Sequence, residues 1–134
     1  MGHWHGCGTA WYLAEQGHAV TLVTPYPMAG MGLQRMAADW PLRQRVKKLG
    51  IEVICDAALG AWHGDGADVI DLRDGSERRL DADSLVLATL NHSQTWLYDD
   101  LTGGDLELHA IGDCVAPRLA NMAIYEGRKL GLTL

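Results

Sequence analysis

A helix-like segment, a glycine and a strand-like segment follow one another near the start of the chain. Residues 9–16 place apolar side chains on one helical face, and Gly17 follows as a helix-ending residue. The β-branched, largely apolar run 19–24 is typical of a buried parallel strand. This order predicts the second half of a βαβ unit. The first half would be an apolar strand before Gly2, so either the chain starts inside a domain or its fold differs.

The same order returns further along. After a loop at 25–32, helical sequence is expected at 33–38 and again at 41–49, where Pro41 would occupy the first helical position. A glycine ends this helix, and the apolar run 51–55 predicts a second buried strand. The repeated helix–glycine–strand pattern favours a parallel α/β sheet.

The pattern changes from residue 57 onward, where short apolar runs are separated by turn residues. The runs 69–72 and 78–80 flank Asp74-Gly75, a strong hairpin signal. Residues 85–89 are apolar and again predict a buried strand. We therefore expect a small antiparallel meander inserted into a parallel sheet.

The last third of the sequence predicts fewer elements. A short helix is expected at 95–100, and 102–105 has the composition of a linker. A strand is predicted at 108–111 and a final helix at 119–130.

Composition and charge narrow the function classes. Of 134 residues, 48% are apolar and 21% charged, the balance of a folded protein, and the net charge of −6 argues against nucleic-acid or anionic-membrane binding. No apolar run approaches the ~20 residues of a membrane span, and no signal peptide is recognisable. Cys7, Cys55 and Cys114 lie far apart, which favours free thiols in the cytoplasm. Three thiols are too few for the four ligands of an iron–sulfur cluster.

The sequence carries only part of a dinucleotide-binding motif. If Gly6 is the last glycine of G-x-G-x-x-G, Met1 and His3 replace the first two. The following strand ends at Thr24, with no acidic residue for a ribose. We expect NAD not to bind productively here.

Two stretches support a resemblance to a known family. The first joins the segment 2–6 to 14–24, and the second joins 111–118 to 123–130. Together they resemble the C-terminal part of the trimethylamine, dimethylamine and histamine dehydrogenase group. This group lies within the old-yellow-enzyme-like flavin oxidoreductases and includes related amine demethylases.

The resemblance implies a specific architecture. Residues 1–101 would form a Rossmann-like NAD(P)-binding domain of the glutathione reductase type that lacks its first strand, and residues 102–134 the last strand and helix of an FAD-like domain. FMN, a 4Fe–4S cluster and the catalytic residues would belong to an absent barrel. The chain would then be a fragment or truncated gene product that is not itself catalytic, and its partners would be the remaining domains.

The resemblance also implies a cofactor site at Gly112 and Asp113. The aspartate would accept hydrogen bonds from hydroxyls of FAD or ADP, the glycine would give backbone clearance, and Asn121 would face the ligand. The alternative is that Asp113 caps a turn. We assign no catalytic residue within the chain.

Other combinations of residues are weaker. His3, His5 and His63 with Cys7 suggest a metal site only superficially, and we expect none. His92-Ser93 lacks the G-x-S-x-G motif of a hydrolase.

The basic side chains and the tryptophans lead to two broader expectations. The basic side chains between residues 43 and 48 are expected to form a solvated face or a domain contact. Five tryptophans would pack in the core, or promote homo-oligomers if exposed. The alternative overall function is a stand-alone, non-catalytic α/β scaffold or interaction module.

Overall fold

The computed structural model describes residues 4–134. These residues fall into two compact units, 4–89 and 90–134. The elements in chain order are α1 (Trp4–Glu15), β1 (Thr21–Val23), a 3-10 helix (Met31–Met36), α2 (Asp39–Lys48), β2 (Glu52–Ile54), β3 (Ala57–Trp62), β4 (Gly66–Asp71), β5 (Glu77–Asp81), α3 (Trp96–Leu101), a 3-10 turn (Gly112–Cys114) and α4 (Ala120–Gly131). No helix of the described residues is long and apolar enough to cross a bilayer.

The first unit contains a two-stranded parallel sheet. β1 and β2 pair in parallel, with Leu22 opposite Val53, which confirms the parallel pairing expected from the two buried runs. The side chains that form the main core come from α1, the 3-10 helix, α2 and the segments beside them. The buried members are Cys7, Ala10, Ala29, Leu33, Leu42, Val46 and Ile51.

Both early helices begin before the predicted positions. α1 starts at Trp4 rather than at residue 9, so His5 lies within the helix. α2 starts at Asp39, and Pro41 is therefore its third residue and not its first. Proline is still tolerated there because the first-turn N–H groups have no partner within the helix. Gly17 has a φ of 90° and ends α1 as predicted.

The segment expected to be helical at 33–38 forms a 3-10 helix, Met31–Met36. It begins after Gly30, whose φ is 72°, and ends at Ala37, whose φ is 51°. Left-handed residues at both ends bound the helix, so it is shifted by two residues from the predicted range and keeps the same length of six residues.

The predicted antiparallel meander is confirmed. β3, β4 and β5 form a sheet in that order, and Ile70 pairs with Glu77 across the predicted turn. In the turn, Gly75 has a φ of 75°, and the Asp74 carboxylate accepts the N–H of Ser76 at 2.8 Å. The turn residues thus supply the left-handed backbone and the local hydrogen bond that a tight turn needs.

Two predicted strands are wrong. Residues 85–89 and 108–111 belong to no strand. The whole segment 83–93 makes no backbone–backbone hydrogen bond with any residue that the structure describes. Both stretches have strand-like composition, but a strand also requires a neighbouring chain to pair with.

The second unit contains the two predicted helices, and α3 and α4 confirm them. Within residues 4–134, all buried apolar side chains belong to the first unit. The second unit presents a turn and an amphipathic helix without a large apolar core of its own.

Candidate functional site

The candidate cofactor turn lies between an extended segment and α4. Ile111 is extended, with φ −140° and ψ 163°, and Gly112 then reverses the chain with a φ of 71°. The Gly112 carbonyl accepts the N–H groups of Val115 and Ala116 at 3.1 and 3.2 Å. A Cβ at Gly112 would lie 3.6 Å from the Ala123 Cβ, an ordinary contact. The backbone angle, rather than crowding by described residues, is therefore what requires glycine at this position.

Asp113 is exposed immediately after that glycine. Its Oδ1 accepts the backbone N–H of Arg118 at 3.2 Å, which closes the turn that leads into α4. Asn121 is exposed as the second residue of α4. The structure thus unites Gly112 and Asp113 in one turn and places Asn121 in the first turn of the next helix. Their roles toward a ligand stay predictions.

Glu126 is a site residue that the sequence did not single out. Its Oε2 accepts the Gly112 N–H at 2.7 Å, and its Oε1 accepts a hydrogen bond from Nη2 of Arg118. The Gly112 N–H, and secondly the Arg118 guanidinium, lower the pKa of the Glu126 carboxyl. No local sequence pattern connects a glycine to a glutamate 14 positions away.

A cavity of about 260 Å³ lies in the same unit as this turn. Its mainly apolar lining includes Leu97, Tyr98 and Leu101 of α3, together with Leu108 and Cys114. The Cys114 thiol donates to the Ile111 carbonyl at 2.9 Å, so that its sulfur is held beside the turn.

The chain is similar in structure to several solved proteins. The chain matches the 6-hydroxypseudooxynicotine amine oxidase (HisD) of Pseudomonas geniculata N1 over 97% of its length, with a TM-score of 0.89 and 27% identity. This chain resembles the trimethylamine and histamine dehydrogenase group. No protein-family model matches the sequence.

Two further solved structures share the fold of this chain. Histamine dehydrogenase from Rhizobium sp. 4-9 matches 96% of the chain with a TM-score of 0.90 and 20% identity. A 2-naphthoyl-CoA reductase matches 96% with a TM-score of 0.78 and 24% identity. The chain spans about a fifth of the length of these proteins, covering 20%, 21% and 19% of them.

The structure describes part of the incomplete dinucleotide motif. Met1 and His3 lie outside the described residues, whereas Gly6 lies in α1. A Cβ on Gly6 would lie 3.0 Å from the Ala88 Cβ, so this glycine permits close packing. Thr24 is buried, and its hydroxyl accepts the Tyr26 N–H at 3.3 Å. At the end of β1, Thr24 therefore presents a hydroxyl that is already hydrogen-bonded, and no carboxylate.

The remaining candidate sites form structural contacts. His63 pairs with Asp68 at 2.6 Å across the meander. Among residues 4–134, no group of three or more His, Cys, Asp or Glu side chains could hold a metal ion. Arg45, expected on a solvated face or at a domain contact, binds Glu15 of α1 and lies 5.4 Å from the Trp11 ring centre.

A second cavity, of about 400 Å³, lies in the first unit beside β2 and the meander. No sequence pattern predicted this cavity. Its lining contains both signs of charge, including Asp71 and Arg73. Those two side chains form a two-point ion pair, with the Arg73 Nη2 at 2.6 Å and its Nε at 3.0 Å from the carboxylate oxygens of Asp71. The Asp71 carboxylate in this cavity is therefore already paired with Arg73.

Proposed function

We propose that this chain is the FAD/NAD(P)-binding-like region of a flavin-dependent amine oxidoreductase or demethylase. The match to an amine oxidase over 97% of the chain, with a TM-score of 0.89, is the observation that carries the proposal. The matched part of that oxidase is only 20% of its length. As part of the proposal, catalysis by FMN in a barrel with a 4Fe–4S cluster is assigned to other parts of a longer protein. The region itself would not be catalytic.

The proposed domains are a Rossmann-like NAD(P)-binding fold over residues 1–101 and the end of an FAD-like domain over 102–134. The parallel pair β1–β2, the inserted meander and the close approach of Gly6 to Ala88 support the first assignment. Residues 90–101 group with the second compact unit, so the proposed domains and the compact units have different boundaries.

The proposed ligand of the Gly112–Asp113 turn is FAD or ADP. The chemistry of the side chains fits, because an exposed carboxylate with one oxygen on the Arg118 N–H keeps a second oxygen to accept a ribityl or ribose hydroxyl. The Asn121 amide could donate or accept at the first turn of α4. When bound, FAD would supply electron transfer to the longer protein.

The proposed partners are the remaining domains of the longer enzyme, and a second copy of the chain is an additional candidate. Apolar side chains exposed on residues 85–90, with Leu87 65% and Leu90 60% exposed, support such contacts. The net charge of −6 argues against binding to nucleic acids or anionic membranes. We propose the cytoplasm as the location, on the strength of the free cysteines.

Calorimetric titration with ADP and FAD tests the proposal. The parent chain should bind, and Asp113→Ala should weaken binding by about ten- to a hundredfold, because a charge-assisted hydrogen bond contributes roughly 1.5–3 kcal/mol. Asp113→Asn keeps an acceptor without the charge and should fall between them. Asp105→Ala, also exposed in the second unit, is the control.

The melting temperature of the ligand-free protein separates the alternatives. A ligand role for Asp113 leaves it nearly unchanged. If both Asp113 variants bind like the parent and only stability falls, Asp113 caps the turn. If the parent binds neither nucleotide, the stand-alone scaffold becomes the better interpretation.

A further inference from the structure

Two carboxylates act on the turn at Gly112, and their contacts differ. Glu126 makes two contacts within the protein, to the Gly112 N–H at 2.7 Å and to the Arg118 guanidinium. Asp113 uses Oδ1 on the Arg118 N–H at 3.2 Å. The Glu126 side chain is 23% exposed, and Asp113 lies at the surface. Glu126 is thus engaged within the protein, whereas Asp113 faces solvent.

We propose that Glu126 is the positioning residue of this site, and that it fixes Gly112 and Arg118 so that Asp113 keeps one oxygen for a ligand hydroxyl. This inference rests on the proposed function for its ligand, a ribose or ribityl hydroxyl of ADP or FAD. It adds a role for a residue on the middle of α4 that touches no ligand itself.

The hydrogen bonds connect the parts of the turn in order. Gly112 has a φ of 71°, a conformation that needs support because it is one of several open to glycine. The Glu126 carboxylate supplies that support through a charge-assisted bond to the Gly112 N–H. The same carboxylate holds the Arg118 side chain, whose Nε also donates to the Ala116 carbonyl at 3.0 Å.

Fixing Arg118 matters for Asp113. The backbone N–H that Asp113 accepts belongs to Arg118, so restraining that residue also restrains one oxygen of the aspartate. Without the Glu126 carboxylate, the guanidinium would be released beside Asp113 and could pair with it. A carboxylate paired in that way would offer a weaker acceptor to a hydroxyl.

The test uses Glu126→Gln in the full chain, because glutamine has nearly the same shape and helix propensity as glutamate. Glu107→Gln is the matched control, since Glu107 is 78% exposed in the same unit. We expect Glu126→Gln to weaken ADP binding about tenfold and to speed hydrogen exchange at the Gly112 amide by a similar factor, as befits loss of a charge-assisted bond. The control should match the parent in both.

Two results overturn the inference. One is an unchanged exchange rate at Gly112 in Glu126→Gln. The other is an unchanged ADP affinity despite faster exchange, which would make Glu126 only a stabilising residue. If the glutamine variant does not fold, Arg118→Lys replaces it, because lysine loses the planar guanidinium while keeping the charge. Arg118→Lys should weaken ADP binding several-fold, and no effect would again overturn the inference.

Failure of the proposed function has a different signature. If the parent binds no ADP, the proposed function fails, and the positioning role is then judged on the Gly112 exchange rate and the ¹³C shift of the Asp113 carboxyl. Glu126→Gln should change both, and Glu107→Gln neither. If Glu126→Gln leaves the Asp113 shift unchanged, the positioning role fails as well.

Discussion

Two glycines with the same backbone conformation differ in their surroundings. Gly30 and Gly50 have φ values of 72° and 70°. A Cβ on Gly30 would lie 2.6 Å from Cδ2 of Leu42, which is only 1% exposed, whereas a Cβ on Gly50 meets no described atom within 4 Å. The pair therefore separates backbone strain from crowding in the core.

We expect Gly50→Ala to destabilise the protein by roughly 1–2 kcal/mol, the cost of a left-handed residue with a side chain. Gly30→Ala should cost about 1–3 kcal/mol more, because the core around Leu42 must also be overpacked. Urea unfolding followed by tryptophan fluorescence measures both values. Equal destabilisation by the two substitutions would contradict the crowding at Gly30.

The end of β1 leads to a prediction about nicotinamide cofactors. Thr24 is buried with its hydroxyl bonded to the Tyr26 N–H, so this position lacks the carboxylate that holds a ribose. NADH and NADPH should therefore show no saturable binding at micromolar concentrations. Calorimetric titration is the measurement, and a micromolar dissociation constant for either cofactor would refute the prediction.

The sequence located part of the candidate site. Gly112 and Asp113 were named through the family resemblance of residues 111–118, and the structure places them together in one turn. Glu126 and Arg118 were missed as site residues, since their importance arises only when α4 folds back on the turn. Residues that act through contacts distant in sequence leave no pattern of their own.

At the scale of elements, the β4–β5 hairpin contains a carboxyl group with a strongly shifted pKa. The hydrogen bonds from the Arg73 side chain and N–H lower the pKa of Asp71 to about 2, from 3.8. A lowered pKa means that the charged form is favoured by folding. The contribution of Asp71 is therefore complete above pH 4 and is lost as the pH falls from about 4 toward 2.

Asp71→Asn should thus lower the melting temperature at pH 6, while the difference from the parent shrinks below pH 4. The asparagine cannot titrate, so the melting temperature of the variant should also depend less on pH in that range. Thermal melts between pH 2 and pH 6 check this, with Asp83→Asn, exposed outside the hairpin, as the control. A constant difference at all pH values would mean that Asp71 does not act through its charge.

The success of the element predictions depended on how local each signal was. The hairpin was found because Asp74 and Gly75 determine their own turn, and its register followed, with Ile70 opposite Glu77. The apolar runs 85–89 and 108–111 suggested strands that the structure lacks. A strand is completed by hydrogen bonds to another segment, and the composition of a run does not reveal whether that segment is present.

On the scale of the molecule, the segment 83–93 combines two exposed features. Its backbone groups pair with no described backbone group, and Val86, Leu87 and Leu90 are 57%, 65% and 60% exposed. Unpaired backbone groups beside exposed apolar side chains recruit other chains. We expect the protein to self-associate at micromolar concentrations.

Leu87→Lys should reduce that association, because a charge on the segment opposes edge-to-edge pairing. Sedimentation velocity at several concentrations measures the change. Leu132→Lys, which places the same charge on an exposed leucine near the chain end, is the control. A concentration-independent monomer for the parent would show that the segment does not drive association.

The three cysteines differ in burial, which allows selective chemical labelling of the protein. Burial raises the pKa of the Cys7 thiol, and its side chain is only 5% exposed, whereas Cys55 and Cys114 are half-buried. A maleimide dye at neutral pH should spare Cys7, since the thiolate is the reactive form. With Cys55 replaced by serine, the dye would attach beside Asp113, and its fluorescence would follow events at the turn without any engineered cysteine.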